Sequence, residues 1–423
     1  MMSNFTESQL EEATLEWFQE LGYATAFGPE LSPGGDYPER EDYGEVLLGE
    51  RLRDALRRLN PTLPPDALDE AYRKVAVPQS PGLLQNNRAF HTMLENGVDV
   101  SYRQPDGTMR YTQARLFDMQ HWDRNDFLAV NQFTVTEGKT EKRPDVVVFV
   151  NGIPLVVMEL KNAADEGADI SAAYHQLQTY KGAIPTLFAY NAFLVISDGV
   201  NARAGTLTSN EERFMAWRTV DGEGVAPLSI PQLEVLILGM FQREHLMELI
   251  SQFELFQTDG KDTWKILAGY HQYHAVLKAV ESTERATLAQ GDRRIGVIWH
   301  TQGSGKSLSM VFYAGKLVIN EQLGNPTIVV ITDRNDLDDQ LFSTFSKCSD
   351  ILRGTPMQAT DRAHLRALLE SRESGGIIFT TIQKFAPEEK GDSAPVLTNR
   401  KNVIVMADEA HRSQYGFAAD VVK

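Results

Sequence analysis

Two stretches of this 423-residue chain put charged or hydroxyl side chains where an apolar pattern would otherwise exclude them. The first runs from Arg143-Pro144-Asp145 through an apolar segment to Asn151-Gly152, then through a second apolar segment to Glu159-Leu160-Lys161. Two β-branched runs around Asn-Gly are a hairpin signal. Buried strands rarely carry charge, yet three charges gather at the open end of this hairpin. The two-residue period of a strand puts Glu159 and Lys161 on one face. A regular two-residue turn would set Asp145 opposite Met158, on the wrong face. The spacing therefore predicts a three-residue loop, Val150-Asn151-Gly152 with Gly152 left-handed, or a bulge having the same effect. Two carboxylates and a lysine on one face suit a Mg²⁺-type site. Hard oxygen ligands would hold the ion, which polarises a phosphodiester and lowers the pKa of water. The lysine would position or activate that water and offset charge developing on phosphorus.

The second stretch is Val297-Ile298-Trp299-His300-Thr301-Gln302-Gly303-Ser304-Gly305-Lys306-Ser307. A strand-like run enters a glycine-rich turn, and a helix-compatible segment follows. Backbone N–H groups of such a turn can surround a phosphate chain: Gly303, Ser304 and Gly305 form the cradle, Lys306 reaches the β/γ-phosphates, and the Ser307 hydroxyl holds Mg²⁺. His300 stands where the first glycine of the usual pattern falls. Upstream, Gln272 offers an amide, donor and acceptor at once, that can read an adenine edge. Downstream, Val403-Ile404-Val405-Met406-Ala407 leads into Asp408-Glu409-Ala410-His411. Asp408 would hold the nucleotide's Mg²⁺ through its water shell and Glu409 would orient and deprotonate water, with His411 a turn further on. The cofactors expected are ATP and Mg²⁺.

The elements that position these groups follow from periodicity. Residues 7–22 read as an amphipathic helix with Leu10, Ala13, Trp17 and Leu21 inward; Glu12 on it is a conceivable further metal ligand. A second helix carries Arg51, Arg53, Arg57 and Arg58, best taken as a solvated face, and a third runs from Pro65 to Lys74. Strands are expected at 99–103, 109–115 and 127–135, then the hairpin. A helix from Ile170 to Gly182 sets Gln176 and Tyr180 four apart on one face, able to line the same cleft. Leu187 to Ser197 reads as a buried strand, residues 200–223 as irregular, and a helix is expected from Lys265 to Val280. From about 297 onward apolar strands alternate with helices, the pattern of a parallel sheet covered on both faces, with Lys306 and Asp408 at the carboxyl ends of strands.

Composition narrows the setting. A net charge of −17 argues against coating nucleic acid by bulk charge, though local basic grooves remain open. One cysteine, Cys348, fits a reducing cytoplasm, and no apolar run is long enough to span a bilayer.

Taken together, Asp145, Glu159 and Lys161 with Gln176 and Tyr180 resemble a PD-(D/E)xK nuclease carrying a Q-x-x-x-Y element. Residues from about 265 onward resemble the first RecA-like half of a superfamily 2 helicase. That order, with Arg203-Ala204-Gly205-Thr206 and Arg213-Phe214-Met215-Ala216-Trp217, is similar to the motor (restriction) subunit of type I restriction–modification enzymes. The resemblance implies an α/β nuclease domain at 1–230, a helical linker at 231–260 and a RecA-like domain at 261–423. It also implies a translocase that pulls double-stranded DNA while anchored to modification (methyltransferase) and specificity subunits, then cuts. A second RecA-like half is not in this sequence, so weak nucleotide binding and poor hydrolysis are expected of it. Two rival readings are a DNA-repair nuclease–helicase fusion without methyltransferase partners and a non-catalytic DNA or subunit docking module.

Overall fold

Continuous runs of Val, Ile, Leu and Phe build the centre of the larger sheet in the computed structural model. The structure describes residues 7–162, 169–333, 335–385 and 396–408, with the side chains of 335–337 excepted. The chain divides into two units, residues 1–254 with 265–270 and residues 255–264 with 271–423.

In the first unit the order is α1 (Glu7–Glu20), β1 (Ala24–Phe27), α2 (Gly28–Leu31), α3 (Gly49–Leu59), α4 (Pro65–Ala76), α5 (Leu83–Asn96), β2 (Val98–Arg103), β3 (Met109–Ala114), β4 (Phe127–Asn131), β5 (Val135–Glu137), β6 (Thr140–Lys142), β7 (Val146–Val150) and β8 (Ile153–Leu160). It continues with α6 (Ile170–Ala183), α7 (Pro185–Phe188), β9 (Phe193–Ser197), β10 (Ala202–Gly205), α8 (Gln232–Met240) and α9 (Arg243–Gln252). A six-stranded sheet runs β1-β4-β7-β8-β9-β10, with β1/β4 and β8/β9 parallel and the other neighbours antiparallel. Strands β7, β8 and β9 are buried throughout, as expected of strands covered on both faces. Helix α6 makes the crossover between parallel β8 and β9, and its N-cap Asp169 accepts from Ala172 N at 2.9 Å. The segment 232–252, expected as a linker, lies within this unit: Phe241 packs on Phe18 of α1 and Phe193 of β9, at 5.1 and 5.5 Å between rings. Truncating Phe18 or Phe193 would cost about 3–5 kcal/mol.

Of the two alternatives expected for the hairpin, the structure takes the bulge rather than the three-residue loop. Asn151 (φ 53°) and Gly152 (φ 76°) make a two-residue turn, with both central residues left-handed. Val150 pairs with Ile153 and Phe149 with Pro154, but Val148 pairs with Val156, so Leu155 is an extra residue in β8. Continued by one step, this register sets Asp145 across from Glu159. The bulge, not the loop, thus brings the carboxylates to one face. Proline has no N–H to give a ladder and settles at bulges, so Pro154 was the signal available. The turn is held by buried Asn151, whose amide donates to Leu116 O and Asn125 Oδ1 and whose Oδ1 accepts from Asp126 N and Arg58. Any Cβ at Gly152 would sit 2.5 Å from Leu48 O.

Other expectations shift. Ala13, Trp17 and Leu21 are only half-buried; Glu11, Thr14 and Phe18 join Leu10 on the inner face of α1, and Glu12 is exposed. Arg51 is paired with Glu39 and Asp126, and Arg53 lies over the Tyr72 ring at 3.6 Å, so this helix face is tied down rather than simply solvated. Leu187 belongs to α7, and β9 begins only at Phe193. Residues 202–205 form an edge strand, where Ala204 and Met215 exchange backbone hydrogen bonds at 2.9 Å and join the Arg203–Thr206 and Arg213–Trp217 segments. Lys265 opens no helix. It lies in a hairpin of β11 (Glu254–Asp259) and β12 (Asp262–Leu267), buried, its Nζ 3.0 Å from the equally buried Glu254.

The second unit holds α10 (Tyr270–Thr287), α11 (Lys306–Ile319), β13 (Thr327–Thr332), α12 (Asn335–Lys347), β14 (Met357–Gln358), α13 (Arg362–Glu370), β15 (Ile377–Thr381) and β16 (Val403–Ala407). Its sheet is parallel throughout, in the order β14-β15-β13-β16. Ile378 packs with Leu365, Leu368 and Leu369 of α13, whereas its neighbour Phe379 meets Phe342 and Phe345 of α12. Successive strand residues face opposite ways, so helices cover both faces. The run Val297–Trp299 is not a strand: Val297 is 86% and Trp299 90% exposed. It has no strand neighbour among the described residues, and Lys306 accordingly does not follow a strand end.

Candidate functional site

The open end of the hairpin concentrates charge inside the first unit. Asp145 is 7% exposed and Glu159 1%. Asp145 Oδ2 accepts from Leu160 N at 2.7 Å, and its carbonyl accepts from Gln132 N at 3.0 Å, which fixes the carboxylate at the strand end. Lys161 Nζ donates to Glu159 Oε1 at 2.6 Å and to Glu7 Oε1 at 3.0 Å. Glu159 Oε2 is buried and has no hydrogen-bond partner among the described residues.

Burial pushes Asp145 well above the usual carboxylate range, and the neighbouring Glu159 pushes it further. Burial likewise holds Glu159 up, with Lys161 offsetting part of the shift. Lys161 is partly desolvated, which opposes its charge, but Glu159, Asp145 and Glu7 outweigh that and raise it. The lysine is thus a firm cation beside two carboxyl groups that cannot comfortably both ionise alone. A divalent cation fits that donor set: it would occupy the orphaned oxygen and remove the penalty on the pair. No group of three or more His, Cys, Asp or Glu side chains able to hold a metal occurs among the described residues. Two carboxylates with water filling the other positions is how Mg²⁺ is commonly bound.

Two acids missed from sequence lie beside the pair. Glu7 reaches Lys161, and Glu11, one step back from the expected Glu12, accepts from Gln132 Nε2 at 2.6 Å and Asn131 Nδ2 at 3.2 Å. Their i,i+4 spacing, in phase with Thr14 and Phe18, was the available signal. Helix α6 brings its two predicted residues to the same place. Gln176 Nε2 donates to the Tyr180 hydroxyl at 3.0 Å, and that hydroxyl donates to Arg143 O at 3.4 Å. Burial raises the Tyr180 phenol, and Glu159 and Asp145 raise it further, which sets it within their electrostatic reach.

The glycine-rich turn of the second unit is built from backbone. Gly303 (φ 80°) and Gly305 (φ 81°) are both left-handed, and Gly305 caps α11. A Cβ at Gly303 would meet nothing, so the glycine there leaves open space as well as conformational freedom. Ser304 is tied to Thr301 O through both N and Oγ, at 3.3 and 2.7 Å. From α10, Gln272 Nε2 donates to Gly305 O at 3.1 Å, and His271 Nε2 lies 3.0 Å from Ser304 O. Gln272 therefore braces the loop in this structure. His271 as a second brace went unrecognised in sequence. Lys306 and Ser307, half-buried, form the first turn of α11, a helix N-terminus that favours an anion. Burial lowers the His300 pKa, and His271 and Lys306 lower it further. Asp408 stands at the carboxyl end of β16, its N–H donating to Ile331 O at 2.9 Å. Glu409 and His411 lie outside the described residues.

Comparison with known proteins follows this two-part geometry. Residues 4–213 match the family described as type I restriction enzyme R protein N terminus, and residues 271–423 match SWI2/SNF2 ATPase. The type I restriction enzyme HindI endonuclease subunit of Haemophilus influenzae is 48% identical over 97% of this chain and 39% of its own length. A putative type I restriction enzyme MjaIXP endonuclease subunit of Methanocaldococcus jannaschii is 35% identical over 97% of this chain and 40% of its own. A Staphylococcus aureus endonuclease subunit is 27% identical over the whole chain and 41% of its own length. The chain thus spans about two fifths of the curated relatives it matches. No helix among the described residues is long and apolar enough to cross a membrane.

Proposed function

This chain belongs to the type I restriction enzyme endonuclease-subunit family, and from that premise we propose that its first unit hydrolyses phosphodiester bonds of double-stranded DNA and its second binds ATP. The observation that carries the nuclease reading is Asp145 brought across from Glu159 by the Leu155 bulge, with Lys161 on the same face. Asp145 and Glu159 would hold a divalent cation such as Mg²⁺, which supplies Lewis-acid polarisation of the phosphodiester and a lowered pKa for water. The chain's own groups do the rest. Lys161, held protonated by its acid neighbours, offsets negative charge developing on phosphorus and orients water rather than taking its proton. Gln176, bonded to Tyr180, and Tyr180, which donates to Arg143 O, would shape the side of the site and hold the entry to β7.

In the second unit, Gly303–Ser307 would cradle ATP phosphates, with Lys306 on the β/γ-phosphates and Ser307 and Asp408 on the nucleotide's Mg²⁺. Glu409 would orient the attacking water, and Gln272 would hold the loop's shape while its amide lies next to the base. ATP-driven translocation of DNA, a cytoplasmic setting, and assembly with modification and specificity subunits belong to the same proposal.

The test is Mg²⁺-dependent cleavage of supercoiled plasmid by the chain and its Asp145→Ala and Lys306→Ala variants, with and without modification and specificity subunits. The proposal expects cutting that needs Mg²⁺ and Asp145 throughout. It further expects that ATP and Lys306 are needed when the partner subunits are present. Cutting that survives Asp145→Ala removes the nuclease assignment.

A further inference from the structure

Apart from the carboxylate pair, the first unit carries a two-stranded ribbon with charge and apolar surface at its free end. Strands β2 and β3 pair antiparallel from Val98 with Ala114 to Arg103 with Met109, and no third strand joins them among the described residues. Helix α4 secures the ribbon's base: Lys74 Nζ donates to Asp99 O at 2.7 Å, and Glu70 accepts from Ser101 N at 3.1 Å. Alternation along the strands leaves Arg103, Met109, Tyr111 and Arg115 on the face away from buried Val98 and Val100. Tyr111 is 78% and Met109 50% exposed. Arg110, exposed, leaves by the opposite face at the same end.

The cations are the informative part. Acidic residues outnumber basic ones 58 to 41 in this chain, and many of its arginines are paired, among them Arg51, Arg53, Arg57 and Arg124. Arg103, Arg110 and Arg115 instead have no side-chain hydrogen bond or ion pair among the described residues. The one amide on the outer face, Gln113 Nε2, is already donated to Asp99 Oδ1 at 2.9 Å. The outer face therefore offers guanidinium groups, a phenol and a thioether, with Gln104 and the exposed Asp106 carboxylate in the turn between the strands.

We propose that the end of the β2–β3 ribbon is a second DNA-contact surface, separate from the carboxylate site, that grips phosphates. The major groove, about 12 Å wide, admits a two-stranded ribbon. Arg103 and Arg110, on opposite faces at the tip, then meet opposite walls, where a guanidinium matches phosphate oxygens two at a time. Arg115, about 20 Å up the outer face by strand rise, reaches the backbone further along. This rests on the proposal that the chain acts on DNA.

The test is binding of the 423-residue chain to a fluorescent 30-base-pair duplex across a salt series, beside an Arg103→Ala/Arg110→Ala/Arg115→Ala variant, with plasmid cleavage run in parallel. The substitutions are on exposed positions, and equal melting temperatures would verify folding. The ribbon reading expects binding weakened tenfold or more. It also expects the log–log salt slope to become shallower by about 2–3, near 0.9 per phosphate contact. A wild type that binds and cuts while the variant keeps its affinity and slope overturns the ribbon alone. Variant binding that stays intact while association with specificity or modification subunits is lost also overturns it, in favour of a protein-docking face. A wild type that neither binds nor cuts overturns this and the nuclease proposal together.

Discussion

The two candidate sites are built on opposite plans. At the hairpin, charged side chains are fixed in a buried place before any ligand arrives: Asp145 by Leu160 N, Glu159 by Lys161. At the glycine-rich turn, main-chain groups do most of the work, and α10 braces the loop from outside through His271 and Gln272. One site stores electrostatic strain that a cation would relieve. The other stores little, and relies on the backbone conformation of its glycines. The lesson is that preorganisation by side chains makes a site sensitive to pH and register, whereas preorganisation by backbone makes it sensitive to glycine geometry.

The comparison can be broken most sharply at Asp145. Asp145→Ala should lower plasmid cleavage by about 10³-fold or more, the scale of losing a principal electrostatic group, while leaving ATP affinity measured by titration calorimetry unchanged. Lys306→Ala should do the reverse, weakening ATP binding about 10- to 100-fold with no effect on the Mg²⁺-induced rise in melting temperature of the first unit. Equal sensitivity of both readouts to either change would mean the plans are not separate.

Gly152→Ala tests register. A Cβ there meets Leu48 O at 2.5 Å and needs a left-handed φ of 76°, so we expect a loss of about 2–4 kcal/mol in denaturant melts. Gly303→Ala, with open space at the Cβ, should cost only the left-handed strain, about 1 kcal/mol.

The smallest effect is on pH. Folding raises the pKa of Asp145 and Glu159, so their contribution to stability is fullest below the unfolded carboxylate range near 4 and is lost as pH rises through their folded values. The Mg²⁺-induced increase in melting temperature should therefore grow by a few degrees from pH 6 to 8, because binding must displace protons. Asp145→Asn should flatten that dependence; a shift that shrinks with pH would contradict the assigned burial.

Much of this was legible from sequence for a physical reason. Charges at the ends of apolar runs, and glycines ahead of a lysine and serine, are local patterns, so Asp145, Glu159, Lys161 and Gly303–Ser307 could be singled out at once. The parallel, doubly covered sheet of the second unit also followed from alternation. What stayed hidden was set by distant partners. The bulge expected as one alternative falls at Leu155, a place set by a neighbouring strand, Glu11 rather than Glu12 faces inward because the buried stripe of α1 is rotated by one residue, and the apolar Val297–Trp299 run finds no strand to join among the described residues. Lys265 looked like the start of a helix, but Glu254 and the hairpin it closes decide otherwise.

The bulge also carries a consequence in time. Leu155 O accepts from Ala192 N at 2.7 Å and from Asn191 Nδ2 at 3.2 Å, both supplied by the approach to β9. A newly made hairpin has the turn but not yet the partner that keeps Leu155 out of the ladder. Until residues 191 and 192 have been synthesised and docked, the register that opposes Asp145 and Glu159 is not enforced. At about 5–20 residues per second, that leaves the emerging chain without an assembled carboxylate pair for a few seconds. The carboxylate pair is thus a late product of folding, assembled only once the sheet around it is complete.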